Sequence, residues 1–306
     1  MNLLISHVPD IDCEFYFKLL WRIPYDYLVI EKGWDHFNHN KIDYEKSLKE
    51  QIGNKQYDKI IFWNCNTLIK KYWREIMRMK GLKYYYMDDM HQVGKTNTFR
   101  QKVINNFDYI LASYAYCIDK YFEDIDKYKI IWLPHYINDD FNVGFNEEPI
   151  EKISVTGAIN QDVYPVRHRM AYKKDNRIEV LKFIGYKAPR HEYFGKDYIR
   201  YLNRFLVSFT CCSFERSPYV LSKFFEIPAS GALLLAHDEL IKEQLKELGF
   251  IDGENYISMT SENMNEKIDY VLDPNNRTEI DRIRKNGYDL VWSQHKISDR
   301  FKRIFY

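Results

Sequence analysis

Short apolar runs alternate with amphipathic stretches along the whole chain. In the first half, NLLIS at 2–6, DYLVI at 26–30, KIIFWN at 59–64, LKYYYM at 82–87, DYILAS at 108–113 and KIIWLP at 129–134 are rich in β-branched and aromatic residues and predict strands. YEKSLKEQI at 44–52, LIKKYWREIMRMKG at 68–81 and CIDKYFEDI at 117–125 repeat their apolar positions with helical period and predict helices. Gly81, just past a basic final turn, reads as a helix stop.

The polar stretch DDFNVGFNEEPIEK at 139–152 breaks this rhythm and reads as a linker. A second series follows. ISVTGA at 153–158, IEVLKFIG at 178–185, LVSFTCC at 206–212, GALLLA at 231–236 and NYIS at 255–258 predict strands. Helices are expected near 165–173, 197–205, 219–230, 239–248 and 263–272, and the last 30 residues read as helical with a break at Gly287. Repeated βα units imply parallel sheets covered by helices. The fold class is therefore α/β with two Rossmann-like, doubly wound parallel-sheet domains. The first is placed at 1–140, the linker at 141–152 and the second at 153–289, followed by a C-terminal helix at 290–306. Two such domains are expected to face a cleft at the carboxyl ends of their strands, where open α/β sheets bind ligands.

Composition changes this picture little. The chain has 45 basic and 44 acidic residues, a balance that argues against a dedicated nucleic-acid or membrane-surface protein. The 26 tyrosines fit an AT-rich coding sequence, and also fit sugar-stacking surfaces. Five cysteines without a C-x-x-C read as reduced, buried thiols of a cytoplasmic protein. The opening MNLLISHVPD reads as a first strand rather than a signal peptide, and no apolar run is long enough to span a bilayer.

Neither G-x-G-x-x-G nor a P-loop occurs, which lowers dinucleotide oxidoreduction and P-loop phosphoryl transfer. The informative segment is SFERSPYVLSKFFEIPASGALLLA at 213–236. Lys223, Glu226 and Ser230 share one helical face. A glutamate there can accept from vicinal ribose hydroxyls, and a neighbouring lysine can meet phosphate. Gly231 would let a ligand approach the backbone. The plainer reading is a solvated Lys–Glu pair with a glycine C-cap.

This segment resembles the nucleotide-sugar site of group-1 glycosyltransferases of the GT-B fold, and is most similar to their spore-maturation-type subset. The pattern K-x-x-E-x-x-A-x-G-x-x-L-L reads here as Lys223, Glu226, Ala229, Gly231, Leu234 and Leu235. GFIDGENYIS at 249–258, VTGAINQDVYPVRHRMA at 155–171 and GYDLVWSQHKISDRFKRI at 287–304 resemble further family segments in the same order. So do YYYMDDMH at 84–91, DYILASY at 108–114 and IIWLPHYIND at 130–139. One departure is that the earlier of two glutamates common in the family falls at Pro218, with Glu215 the nearest acid.

The resemblance implies a glycosyltransferase that moves a sugar from a nucleotide-diphosphate sugar to a hydroxyl acceptor, whether glycan, protein or small molecule, without an obligatory metal or other cofactor. It assigns the donor to Gly157, Tyr164, Arg167, Gly185, Lys223, Glu226, Ser230 and Gly231. It also implies that the C-terminal helix, with His295 and Arg300, returns to the first domain. Acceptor activation is expected at carboxyl ends of first-domain strands, with Asp89 and His91 first, then Asp88, then His135. Asp88 or Asp89 could instead cap the next helix. Asp10–Asp12 and Asp124–Asp126 form D-x-D triplets in the wrong places for a metal site, and His36 and His39 read as solvated. Two rivals remain: a DNA-base-modifying glycosyltransferase of the same fold, and a non-catalytic nucleotide- or sugar-binding module.

Overall fold

The computed structural model describes residues 2–6, 26–29, 40–41, 43–63, 65–87, 95–183, 192, 194–212 and 218–305. The chain divides into two compact units, with the described residues of the first ending at Pro134 and those of the second beginning at His135.

The first unit is built on a parallel sheet of seven described strands in the order β3-β2-β1-β4-β5-β6-β7. These are β1 (Asn2–Ser6), β2 (Asp26–Val29), β3 (Asn40–Lys41), β4 (Lys59–Trp63), β5 (Leu82–Met87), β6 (Tyr109–Ala112) and β7 (Ile130–Trp132). Helices α1 (Leu48–Ile52), α2 (Asn66–Arg78) and α3 (Lys95–Val103) make connections between them. Much of the tyrosine excess is core. Tyr84, Tyr85 and Tyr86 are all buried, and Tyr86 stacks on its register partner Trp63 with ring centroids 3.7 Å apart.

Two sequence expectations need correction here. The helix expected at 117–125 is only a 3-10 turn over Ala115–Lys120. Gly81 does not stop a helix. α2 ends three residues earlier, and Gly81 has φ +99° with its pro-Cβ position pressed onto the Tyr57 carbonyl oxygen, so only glycine fits.

The second unit carries a parallel sheet of five described strands in the order β12-β11-β10-β8-β9. These are β8 (Ile150–Gly157), β9 (Ile178–Lys182), β10 (Phe205–Cys211), β11 (Leu233–His237) and β12 (Ile257–Met259). The helices are α4 (Pro165–Ala171), α5 (Gly195–Asn203), α6 (Lys223–Ala229), α7 (Lys242–Glu247), α8 (Met264–Leu272), α9 (Arg277–Gln294) and α10 (Ile297–Phe305). Strand order reverses between β8 and β10. That switch point is where an open parallel sheet leaves a crevice beyond its strand ends. Ile153, Val155, Val207, Phe209, Leu233 and Leu235 form the buried centre.

The polar stretch 139–147 is packed into this unit. Asn146 Nδ2 donates to the Asn203 carbonyl at 2.9 Å, and buried Arg284 donates Nη2 to the Asn146 carbonyl and Nε to the Gly231 carbonyl. α9 runs unbroken through Gly287, contrary to the expected break. That glycine lets the helix press against the β12 approach, since a Cβ would lie 2.5 Å from the Asn255 carbonyl oxygen. α10 is tied to residues 137–139. Ile137 and the 295–297 backbone exchange hydrogen bonds, and Ser298 Oγ donates to Asp139 Oδ1 at 2.6 Å. The C-terminal helix thus meets a segment that sequence texture assigned to the first domain but that clusters with the second.

Candidate functional site

Strand β8 ends at Gly157 with φ +92°, a conformation that disfavours any side chain. The turn exists to bring other groups close. A Cβ at Gly157 would lie 2.8 Å from Lys223 Cε and 3.5 Å from both Lys223 Nζ and Arg167 Nη1. Two cations from two different helices therefore converge on one backbone position.

Arg167 belongs to α4, which starts on Pro165 where a missing N–H is harmless. Its side chain is almost wholly buried. Nη1 donates to the Ala158 carbonyl at 3.1 Å, while Nη2 donates to Thr210 Oγ1 at 3.3 Å and to the Cys211 carbonyl at 3.2 Å. The guanidinium also lies 4.2 Å from the ring centroid of Tyr164, the N-cap residue. Arg167 thereby laces the carboxyl ends of β8 and β10 together across the switch point. Its Nε is buried without a partner among the described residues, so donor capacity is left over.

Lys223 and Glu226 open α6, three residues apart. The solvated-pair reading fails for Glu226, which is only 2% exposed and whose Oε2 has no hydrogen-bond partner among the described residues. Burial raises the Glu226 carboxyl, with Lys223 and Ser222 pulling the other way. Burial lowers the Lys223 ammonium to about 8; Glu226 opposes this and Arg167 adds to it. On both partners desolvation outweighs their mutual attraction. Two cations against one carboxylate, with an orphan acceptor and an orphan donor, make a partly dehydrated site suited to an anion that also carries hydroxyls.

The other expected donor residues divide. Ser230 is fully buried, and its hydroxyl donates to the Ile227 carbonyl at 2.6 Å. The pro-Cβ position of Gly231 faces Phe145, 3.1 Å from Cδ2. Both residues are thus engaged in closing α6 and docking the 145–146 segment. Gly185 lies outside the described residues, as do Asp88, Asp89 and His91. So do Asp10, Asp12, Cys13, His36, His39 and Glu215.

His135 is buried, but it stands in the second unit with its ring 5.9 Å from that of Tyr219. His295 and Arg300 are locked together in the interior. Arg300 Nη2 donates to His295 Nδ1 at 2.6 Å, and His295 Nε2 meets the Leu248 carbonyl at 2.8 Å. Arginine can only donate, so Nδ1 accepts, Nε2 carries the proton, and the imidazole is neutral. Asp126 caps a 3-10 turn, its Oδ1 accepting from the Tyr128 amide at 3.1 Å. The described cysteines, Cys65, Cys117, Cys211 and Cys212, are free and buried.

Sequence reading missed two constellations. Tyr198 on α5 accepts from Lys223 Nζ at 2.7 Å and shares a hydrogen bond with Thr156 at 2.6 Å. At the end of β11, buried Asp238 accepts from Tyr256 and Ser258 hydroxyls, each at 2.7 Å. Both involve residues whose types look like ordinary core or strand positions. Only the fold brings them together.

Against known proteins, a family profile described as "Glycosyl transferase-like" matches residues 153–305, half of the chain. It does not single out the spore-maturation-type subset. No curated protein sequence matches the chain. Solved structures share the fold at low identity. HepE of Anabaena, determined in complex with UDP-glucose, superposes with TM-score 0.66 at 10% identity, covering 99% of this chain and 97% of its own. A glycosyltransferase from Rickettsia africae gives 0.64 at 11% identity, covering 99% and 96%. Sucrose-phosphate synthase from Thermosynechococcus elongatus gives 0.58 at 12% identity, covering 99% and 96%. Two Rossmann-like units of this kind constitute the GT-B fold, and the chain belongs to the glycosyl transferase-like family.

Proposed function

We propose that this protein transfers a sugar from a nucleotide-diphosphate sugar to a hydroxyl acceptor, with the donor nucleotide held by the second unit at the β8–β10 switch point. One observation carries the reading: a buried carboxylate with an unpartnered oxygen, Glu226, beside two cations converging on Gly157. Glu226 would accept from the ribose hydroxyls. Lys223 and the spare N–H groups of Arg167 would meet the diphosphate as negative charge grows on it during departure. The acceptor hydroxyl attacks the anomeric carbon, the bond from that carbon to the diphosphate oxygen breaks, and the hydroxyl proton passes to a base.

Because two protein cations already serve the diphosphate, transfer is expected to survive chelation of divalent metal. The base is assigned from sequence to the 88–91 turn, with Asp89 and His91 ahead of Asp88; His135, ranked last, belongs to the second unit. The finer kinship to spore-maturation-type enzymes rests on the pattern at 223–235 together with the segments at 249–258, 155–171 and 287–304 and the first-domain segments named above. The cytoplasmic setting rests on cysteine usage; no described helix is long and apolar enough to cross a membrane.

The test is binding and turnover together. A panel of UDP, GDP, ADP, CDP and dTDP should raise the melting temperature for at least one base. The matching nucleotide sugar should be hydrolysed slowly without acceptor. Stabilisation by none of the panel would refute the site. Binding without any donor hydrolysis or transfer would mark a non-catalytic binding module instead.

A further inference from the structure

Tyr198 lies on α5, a different helix from the α4 and α6 that carry Arg167, Lys223 and Glu226. Its ring and hydroxyl are buried, and so is Thr156, the residue immediately before Gly157 on β8. One hydrogen bond has a fixed sense: the ammonium can only donate, so Lys223 Nζ donates to the Tyr198 oxygen at 2.7 Å. On its other side the Tyr198 hydroxyl shares a hydrogen bond with Thr156 Oγ1, 2.6 Å away. The same ammonium lies 4.6 Å from the centroid of the Tyr198 ring. Burial pushes the phenol well above its ordinary range, so Tyr198 stays neutral and acts as an acceptor and not as a counter-ion.

A lysine side chain has four rotatable carbons and no preferred direction of its own. Here Thr156 orients Tyr198, and Tyr198 orients Lys223 toward the one backbone position where a Cβ would strike it. We propose that Tyr198 is a positioning residue of the nucleotide site, fixing the Lys223 ammonium beside Gly157 where it meets the donor diphosphate. This rests on the assignment of Lys223 to the donor made above. The charged or titratable groups around that ammonium are Glu226 on its own helix, Arg167 on α4, Tyr164 at the N-cap of α4, and Tyr198 on α5. Of these Tyr198 is hydrogen-bonded to Nζ and held in turn by Thr156.

Tyr198→Phe keeps the ring and removes the acceptor. Thr156→Val keeps the strand and removes the anchor, and serves if the first variant folds poorly. Calorimetry would compare the tightest binder among UDP, GDP, ADP, CDP and dTDP with its parent nucleoside. The expected result for Tyr198→Phe is roughly a five- to twentyfold loss for the diphosphate, less than the full worth of one charge-assisted hydrogen bond because the Lys223 ammonium is still present. The nucleoside should change less than about twofold, and the Tyr198→Phe/Lys223→Met double variant should bind no more weakly than Lys223→Met alone. Loss of the neutral acceptor should also move the alkaline limit of diphosphate binding to lower pH. A Tyr198→Phe protein that binds the diphosphate like wild type while Lys223→Met is weakened would overturn the proposal. Equal losses for diphosphate and nucleoside would also overturn it, showing a packing role only. If Lys223→Met and Glu226→Gln both bind normally, the donor-site assignment fails and the positioning role falls with it.

Discussion

Lys223 predicts a pH dependence that runs in opposite directions for ligand affinity and for stability. Burial beside Arg167 lowers its ammonium from 10.5 to about 8 in the ligand-free protein. The bound diphosphate brings negative charge and reverses that shift, so binding takes up a proton wherever the free protein has lost one. With a free-state value of about 8, the dissociation constant should scale as one plus ten to the power of pH minus 8. It should rise by about 10% at pH 7, twofold at pH 8 and elevenfold at pH 9. The terminal phosphate is already ionised near pH 7 and contributes little across this window.

Stability responds with the other sign. A lysine whose folded value is depressed favours the neutral form in the folded state, so the penalty for burying the ammonium is fully present below about pH 8. It fades as pH rises from 8 toward 10.5. Isothermal titration from pH 7 to 9 in two buffers of different ionisation heat would measure both affinity and proton uptake. Lys223→Arg keeps a permanent charge and should give a flat profile. A flat wild-type profile, or an unchanged slope in Lys223→Arg, would refute the assignment.

Glu226→Gln should lower the melting temperature, because the buried Lys223 ammonium beside Arg167 loses its carboxylate. Nucleotide affinity per folded molecule should also fall about tenfold to a hundredfold by calorimetry, since charged acceptors contribute about 1.5–3 kcal/mol. Gly157→Ala should cost about 1–2 kcal/mol in denaturant titration from the positive φ alone, and should weaken diphosphate binding by displacing Lys223. Arg300→Ala should destabilise the second unit by roughly 1–3 kcal/mol while leaving nucleotide affinity per folded molecule intact, because it strips His295 Nδ1 of its buried donor.

The alternation of apolar runs made the parallel sheets legible, because a strand buried on both faces leaves little else to read. Strand positions such as 59–63 and 205–211 follow directly from KIIFW and FLVSFTC. The two-residue β3 carries no such signal. The glycines were read less well. Gly81 and Gly287 look like helix punctuation in a linear string, but their role is set by a carbonyl from a distant segment. Ser230 shares the face of Lys223 and Glu226 in an ideal helix, with Gly231 the next residue. Yet α6 ends at Ala229 with Pro228 in its last turn, and the next two residues turn inward to Phe145 and Ile227. Lys223, Glu226, Arg167 and Gly157 were identified through family resemblance, and the fold brings them together. Nothing local to Tyr198 distinguishes it from the buried Tyr201 three residues on.

The topology explains why these particular residues meet. At the switch point, β8 and β10 are neighbours in the sheet, while their following helices leave in different directions, α4 toward β9 and α6 toward β11. One guanidinium donates to the carbonyls of both Ala158 and Cys211 at the two strand ends. Arg167 therefore has a structural reason to be buried there before any ligand arrives. A fixed cation at that point repels the ammonium of Lys223, which needs a neutral acceptor on its far side, supplied by Tyr198. Glu226 completes the cluster at a cost in desolvation that its attraction to Lys223 does not cover. A neutral side chain at 226 alone would leave the Lys223 ammonium and the Arg167 guanidinium buried without a counter-charge, so the carboxylate has an electrostatic reason to be there. What the cluster does not supply, among the described residues, is a partner for Glu226 Oε2, and a ligand bringing both hydroxyls and negative charge would complete the carboxylate and the two cations together.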